Sequence, residues 1–200
     1  MKKILCFGDS NTYGYNPKNG QRFEKRWTNI LSAILQDCEI TEAGGNNRTA
    51  FSKDLNGSAG IGILQKYLTK QYEIIILAIG INDLQYSYNC DLKTFEQGIT
   101  ELISAAKTLN PNAKIILISP SVIKENILFS HFNILFDRTS IEKSYKISTI
   151  YKRIAQENNC IYLDLNNIAE VSEIDGLHYE ETEHKKIADE LSKIIQNISI

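Results

Sequence analysis

Residues 74–83 read Ile74-Ile75-Ile76-Leu77-Ala78-Ile79-Gly80-Ile81-Asn82-Asp83. The run 74–79 is apolar without a break, so neither face of it alternates towards water. That is the signature of a strand buried on both faces, as in a parallel sheet covered by helices. Gly80 ends the run, and the polar pair Asn82-Asp83 falls in the loop beyond the strand's carboxyl end.

Outward from this stretch the same kind of segment recurs. Ile4 to Phe7, the weaker Glu39 to Thr41, Ile115 to Ile118 and Ile161 to Leu163 read as four more strands. Between them, apolar residues recur at helical spacing. Trp27, Ile30, Leu31, Ile34 and Leu35 form one stripe, with Trp27 read as core. Ala59 to Leu68 forms a second, through Ile61, Leu64 and Leu68. Leu92, Phe95, Ile99, Leu102, Ile103 and Ala106 form a third, which Asn110-Pro111-Asn112 ends. Ile141 to Ala155 and Thr182 to Ile195 complete the set. Strand and helix alternate throughout, which predicts a parallel sheet with right-handed crossovers and helices on both faces. In such sheets ligands bind beyond the carboxyl ends of the strands.

Those ends carry distinctive residues. Gly8-Asp9-Ser10-Asn11 follows the first strand, Ala43-Gly44-Gly45-Asn46-Asn47-Arg48-Thr49 the second, Gly80-Ile81-Asn82-Asp83 the third, and Asp175-Gly176-Leu177-His178 the fifth. Together they hold what acyl transfer needs. Serine is a weak nucleophile until a base takes its proton, and His178 is a suitable base. A carboxylate on the other ring nitrogen, from Asp175, would hold the tautomer and stabilise the imidazolium. The backbone N–H of Ser10, the backbone N–H of Gly44 and the side-chain amide of Asn82 would form an oxyanion hole. One such donor is worth about 3 kcal/mol in the transition state. Asp9 is read as a loop-bracing group and Arg48 as a brace for the glycine loop. Asp83 is read as a loop-stabilising carboxylate and also, with His131 and Phe132, as a candidate substrate contact.

The four blocks, in this order, resemble those of the SGNH (GDSL-like) hydrolase superfamily. Gly8-Asp9-Ser10 matches its nucleophile block, Gly44 its glycine block, Gly80-x-Asn82-Asp83 its asparagine block and Asp175-x-x-His178 its histidine block. Arg26-Trp27 and Arg48-Thr49 are similar to the arylesterase and lysophospholipase-like bacterial branch. The resemblance implies a flavodoxin-like three-layer α/β/α sandwich with a five-stranded parallel sheet of order 2-1-3-4-5. It also implies one SGNH hydrolase domain over 1–200, with a serine mechanism needing no metal and no cofactor. The chain departs from the pattern after the histidine, where Glu180 and Glu183-His184 replace a Ser/Thr and a Gly-His pair. His184 is read as a surface or supporting residue. The stretch from Ser121 to Ser140 matches no motif and is expected to build part of the substrate wall. Within it Phe129, Phe132 and Phe136 read as a lid over an acyl pocket or as a contact in a homo-oligomer.

The function expected is hydrolysis of short-chain carboxylic esters, small acyl or acetyl, with a small-molecule ester as partner. An acyltransferase or thioesterase would use the same residues. A nucleotide- or phosphate-binding module on the same fold would want a P-loop or G-x-G-x-x-G after the first strand. Neither motif is present, and Asp9 would repel phosphate. The formal net charge of -2 gives no bulk attraction to nucleic acid or anionic membrane. Cys6, Cys38, Cys90 and Cys160 are scattered without a C-x-x-C pair and are expected to be reduced and mostly buried. No apolar run reaches membrane-spanning length. The brief Ile4-Leu5-Cys6 run after Lys2-Lys3 is too short for a signal peptide, so a cytoplasmic location without membrane insertion is expected.

Overall fold

The computed structural model describes residues 1–51 and 59–198. Five strands form one parallel sheet in the order β2-β1-β3-β4-β5. They are β1 (Lys2–Gly8), β2 (Cys38–Gly44), β3 (Ile74–Ala78), β4 (Lys114–Ser119) and β5 (Ile161–Asp164). This is the order that the resemblance implied. The weak second strand runs three residues further than its apolar pattern suggests, to Gly44. It can do so because it pairs with β1 along its whole length, Lys2 opposite Cys38 through Gly8 opposite Gly44.

The described residues form six α-helices: α1 (Ser10–Tyr13), α2 (Trp27–Ile34), α3 (Gly60–Tyr67), α4 (Leu92–Leu109) and α5 (Arg138–Glu157) between the strands, and α6 (Glu181–Gln196) after the last. The two-residue period of the strands sorts the core into two halves. Leu5, Phe7, Ile75, Leu77, Ile115 and Leu117 face α3, α4 and α5. Ile4, Cys6, Ile74, Ile76, Ile116 and Ile118 face α2 and α6, where Trp27 and Leu191 meet them. This is why the 74–79 run has no polar member: both of its faces are covered. Among the cysteines, Cys6, Cys38 and Cys90 are buried and Cys160 is half-buried; all four are free thiols.

Two features lie outside the apolar pattern. The four-residue α1 forms inside a polar stretch, capped by the Asp9 carboxylate, which accepts from Asn11 N at 2.9 Å. The stretch between β4 and α5 folds into two 3-10 turns, Glu125–Phe129 and His131–Ile134. No helix among the described residues is long and apolar enough to cross a membrane.

Register sets up the site. Gly8 lies opposite Gly44 on one side and Ala78 on the other. The loops carrying Ser10, the glycine turn and Asn82 therefore leave the sheet side by side.

Candidate active site

Ser10 is the first residue of α1, so its backbone N–H lies outside the helix's own hydrogen-bond ladder. The residue is 5 % exposed. Its Oγ stands 2.9 Å from His178 Nε2, and His178 Nδ1 stands 2.7 Å from Asp175 Oδ2. The other Asp175 oxygen accepts the backbone N–H groups of Leu177 and His178, at 2.9 and 3.0 Å. The three side chains thus form one hydrogen-bonded line. Burial works to raise the Asp175 carboxyl, but the imidazole and the two N–H groups outweigh it and hold it below the ordinary carboxylate range.

The turn that brings Asp175 to His178 is built around Gly176, whose φ is +70°. A Cβ there would stand 2.7 Å from the Lys124 carbonyl oxygen and 2.8 Å from Ile127 N. Glycine therefore lets the 124–127 segment close over the turn, and Lys124 N donates to the Gly176 carbonyl at 2.9 Å. Next door, the Tyr179 hydroxyl donates to Ser121 Oγ at 2.9 Å, and Ser121 Oγ donates to the Ala169 carbonyl at 2.8 Å. The histidine turn is tied in this way to the end of β4.

Gly44 packs directly on α1: a Cβ at 44 would lie 2.2 Å from Tyr13 N. Only glycine allows the glycine turn to come this close to the serine turn. Arg48 locks the two together. Its Nη1 donates to the Gly8 carbonyl at 2.8 Å and to the Ala43 carbonyl, and its guanidinium lies 4.7 Å from the Phe7 ring centroid. This is the bracing arrangement expected for Arg48.

Asn82 Nδ2 donates to the Arg48 carbonyl at 3.1 Å, while Asn82 Oδ1 accepts from Gln85 Nε2 at 3.1 Å. The amide orientation is therefore determined, and the second hydrogen on Nδ2 has no partner among the described residues. Asp83 does not behave as a substrate contact. It is fully buried, and both its oxygens accept from Ala50 N while one also accepts from Phe51 N. Its neighbour in sequence faces the cleft because successive residues of a 3-10 turn point about 120° apart. Burial pushes both Asp83 and Asp9 up to about 7, against the pull of their backbone N–H partners.

The cleft above Ser10 has a volume of about 130 Å³. The loops after β2 and β3 give it Asn46, Asn47 and Asn82. The 3-10 segment and the histidine turn give it Phe132, Leu135, Phe136 and Leu177, and Tyr15 completes the lining. The stretch from Ser121 to Ser140 thus does contribute a wall. Phe129, expected beside the others, points outward and is 86 % exposed. The chain from His131 onward carries Phe132 and Phe136 to the cleft, while Phe129 is left facing solvent. His131 is exposed and not among the lining residues; its Nε2 lies 3.5 Å from the Tyr15 hydroxyl. His184 is not at the surface. It is fully buried against Phe23 and Tyr179, and burial lowers it to about 4.

Several lining residues have no signal in the chain's local pattern. Tyr15, Asn47, Leu135 and Leu177 reach the cleft only through the fold, and only the fold sets Gln85 behind Asn82 to orient its amide. Asn46 and Asn47 sit in the quoted glycine loop, but a polar residue in a loop is ordinarily a turn former.

A serine, a histidine and a carboxylate in one hydrogen-bonded line beneath a small cleft are the groups that acyl-ester hydrolysis needs. The chain belongs to the GDSL-like Lipase/Acylhydrolase family, whose model matches residues 6–185. It is an ester-hydrolysing enzyme of that family. Solved structures share the fold across nearly whole chains. The M. smegmatis aryl esterase is 23 % identical, with a TM-score of 0.90 and full coverage of both chains. A carbohydrate acetylesterase family member from Sinorhizobium meliloti is 24 % identical, with a TM-score of 0.87 and 98 % of each chain covered. Comparison with the curated proteins finds none that matches.

Proposed function

We propose that the protein hydrolyses short-chain carboxylic esters through an acyl-enzyme on Ser10. The observation that carries this reading is the continuous line Asp175–His178–Ser10, with contacts of 2.7 and 2.9 Å, opening on a cleft of about 130 Å³. Ser10 Oγ attacks the ester carbonyl carbon as its proton passes to His178 Nε2. The carbonyl oxygen becomes an oxyanion, met by the N–H groups of Ser10 and Gly44 and by Asn82 Nδ2. The tetrahedral species collapses, the C–O bond to the alcohol breaks, and Nε2 returns the proton to the leaving oxygen. Water, deprotonated by the same nitrogen, then attacks the acyl-serine and frees the acid and Ser10.

The cleft's size favours a small acyl group. Its apolar lining (Phe132, Leu135, Phe136 and Leu177) suits acyl carbons, and Asn46 and Asn47 offer hydrogen bonds to a polar alcohol. The two solved neighbours, an aryl esterase and a carbohydrate acetylesterase family member, fit this reading. The test is a series of p-nitrophenyl esters from acetate to octanoate, with a fluorophosphonate label mapped by peptide mass. Turnover should be highest at acetate or butyrate, and the label should fall on Ser10. No turnover together with an unlabelled Ser10 would end the proposal.

A further inference from the structure

The hydrogen bonds of His178 account for its two nitrogens but not for its ring face. That face is covered by Tyr15, with ring centroids 4.3 Å apart and planes tilted by 34°. Phe132 leans on both rings, 5.1 Å from His178 and 5.8 Å from Tyr15. Tyr15 is only half-buried, so burial of its own surface does not explain where it sits. Its hairpin aims it. Gly14, at φ +86°, turns the chain out of α1. Phe23 N then donates to the Gly14 carbonyl at 2.7 Å and Asn16 N to the Gln21 carbonyl at 2.8 Å. Gly20 lies against the far end of the ring, where an added Cβ would be 3.3 Å from the hydroxyl oxygen.

Building on the triad reading above, we propose that Tyr15 is a positioning residue for His178, with Phe132 as its backing. The need arises within the reaction. When Ser10 Oγ has bonded to the acyl carbon, it no longer holds the imidazole as a hydroxyl partner. The ring is then secured by Asp175 along one edge alone. It must still present Nε2 to the leaving oxygen and later to water. The ring-face contact with Tyr15 does not depend on Ser10 Oγ and is kept through every one of these states. An aromatic face also suits the imidazolium, which carries a positive charge while the oxyanion exists. The phenol hydroxyl is not required, because the contact is made by the ring.

The experiment uses the full chain as wild type, Tyr15→Leu, Tyr15→Phe and Phe132→Leu. Each is measured for kcat and KM on p-nitrophenyl acetate, for fluorophosphonate labelling of Ser10, and by proton NMR for the downfield Nδ1–H resonance between His178 and Asp175. Tyr15→Leu should lower kcat roughly tenfold to a hundredfold, the range that slight misplacement of a reacting group costs. Its KM should stay within about twofold of wild type. Its downfield proton should broaden without substrate, because the ring is less well held. Tyr15→Phe should restore all three values. Phe132→Leu should show a smaller loss of the same kind, and it stands in should Tyr15→Leu fail to fold. A Tyr15→Leu enzyme with unchanged kcat and a sharp downfield proton overturns the inference while leaving the triad intact. A rise in KM alone likewise overturns it, reducing Tyr15 to a cleft wall. A wild-type Ser10 that does not label overturns the triad reading, and this inference with it.

Discussion

Asn82 is held so that one amide hydrogen is engaged by the Arg48 carbonyl and the other is without a partner among the described residues, with Gln85 determining which end of the amide is which. If that free hydrogen meets the oxyanion, Asn82→Ala should lower kcat by about 10²–10³ and leave KM nearly unchanged, because the bond matters most when the oxygen is charged. Steady-state kinetics on p-nitrophenyl acetate checks this. Asp175→Asn keeps the contact with His178 but favours the wrong tautomer. It should lower kcat by about 10⁴ with the fold intact, read by the same assay and a circular dichroism spectrum. Ser10, Gly44, Asn82, Asp175 and His178 could be singled out in the sequence because each lies in a short block at a strand end, and the order of the blocks along the chain is informative. Gln85 and Tyr15 were not, since their roles depend on which neighbours the fold supplies.

At the scale of elements, α6 carries a buried imidazole. Neither ring nitrogen of His184 meets a hydrogen-bond partner among the described residues. Burial, with His178 and Arg26 nearby, lowers it from 6.5 to about 4. The unfolded chain therefore binds a proton between pH 6.5 and pH 4 that the fold refuses. His184 adds stability in full above pH 6.5 and loses it as pH falls through about 4. Asp9 and Asp83 act in the opposite sense. Raised to about 7, they add stability below their unfolded value of 3.8 and lose it as pH rises through 7. The His184 effect is thus best read as a difference. In urea melts, the stability of wild type relative to His184→Leu should fall by roughly 3 kcal/mol between pH 7 and pH 4. Asp83→Ala should cost about 3 kcal/mol at pH 6, because it strands the N–H groups of Ala50 and Phe51, and Asp83→Asn should cost less. Most strands and helices could be read from apolar period alone. The capped turn α1 and the two 3-10 turns could not, because they are too short to show an apolar period, and α1 and the second 3-10 turn are held by the caps Asp9 and Ser130.

For the molecule as a whole, the hydrogen-bonded pair Ser10 and His178 lies 168 positions apart in the chain. The serine leaves the sheet from β1, while the histidine sits in the turn just before α6. No local fragment contains the site. Fluorophosphonate labelling of Ser10 across a urea series should therefore lose half its rate at the midpoint where tryptophan fluorescence reports unfolding of the core around Trp27. A labelling midpoint well below the core midpoint would show that the site opens separately. Local pattern was sufficient for the α/β class, the family and the residues at the strand ends, since periodicity and short motifs are properties of neighbouring residues. The tertiary structure alone decided the cleft's lining, the aromatic cover on His178, the retirement of Asp83 from substrate contact and the burial of His184. Those depend on contacts between distant segments, and only the register of the sheet and the packing of its helices determine which distant residues meet.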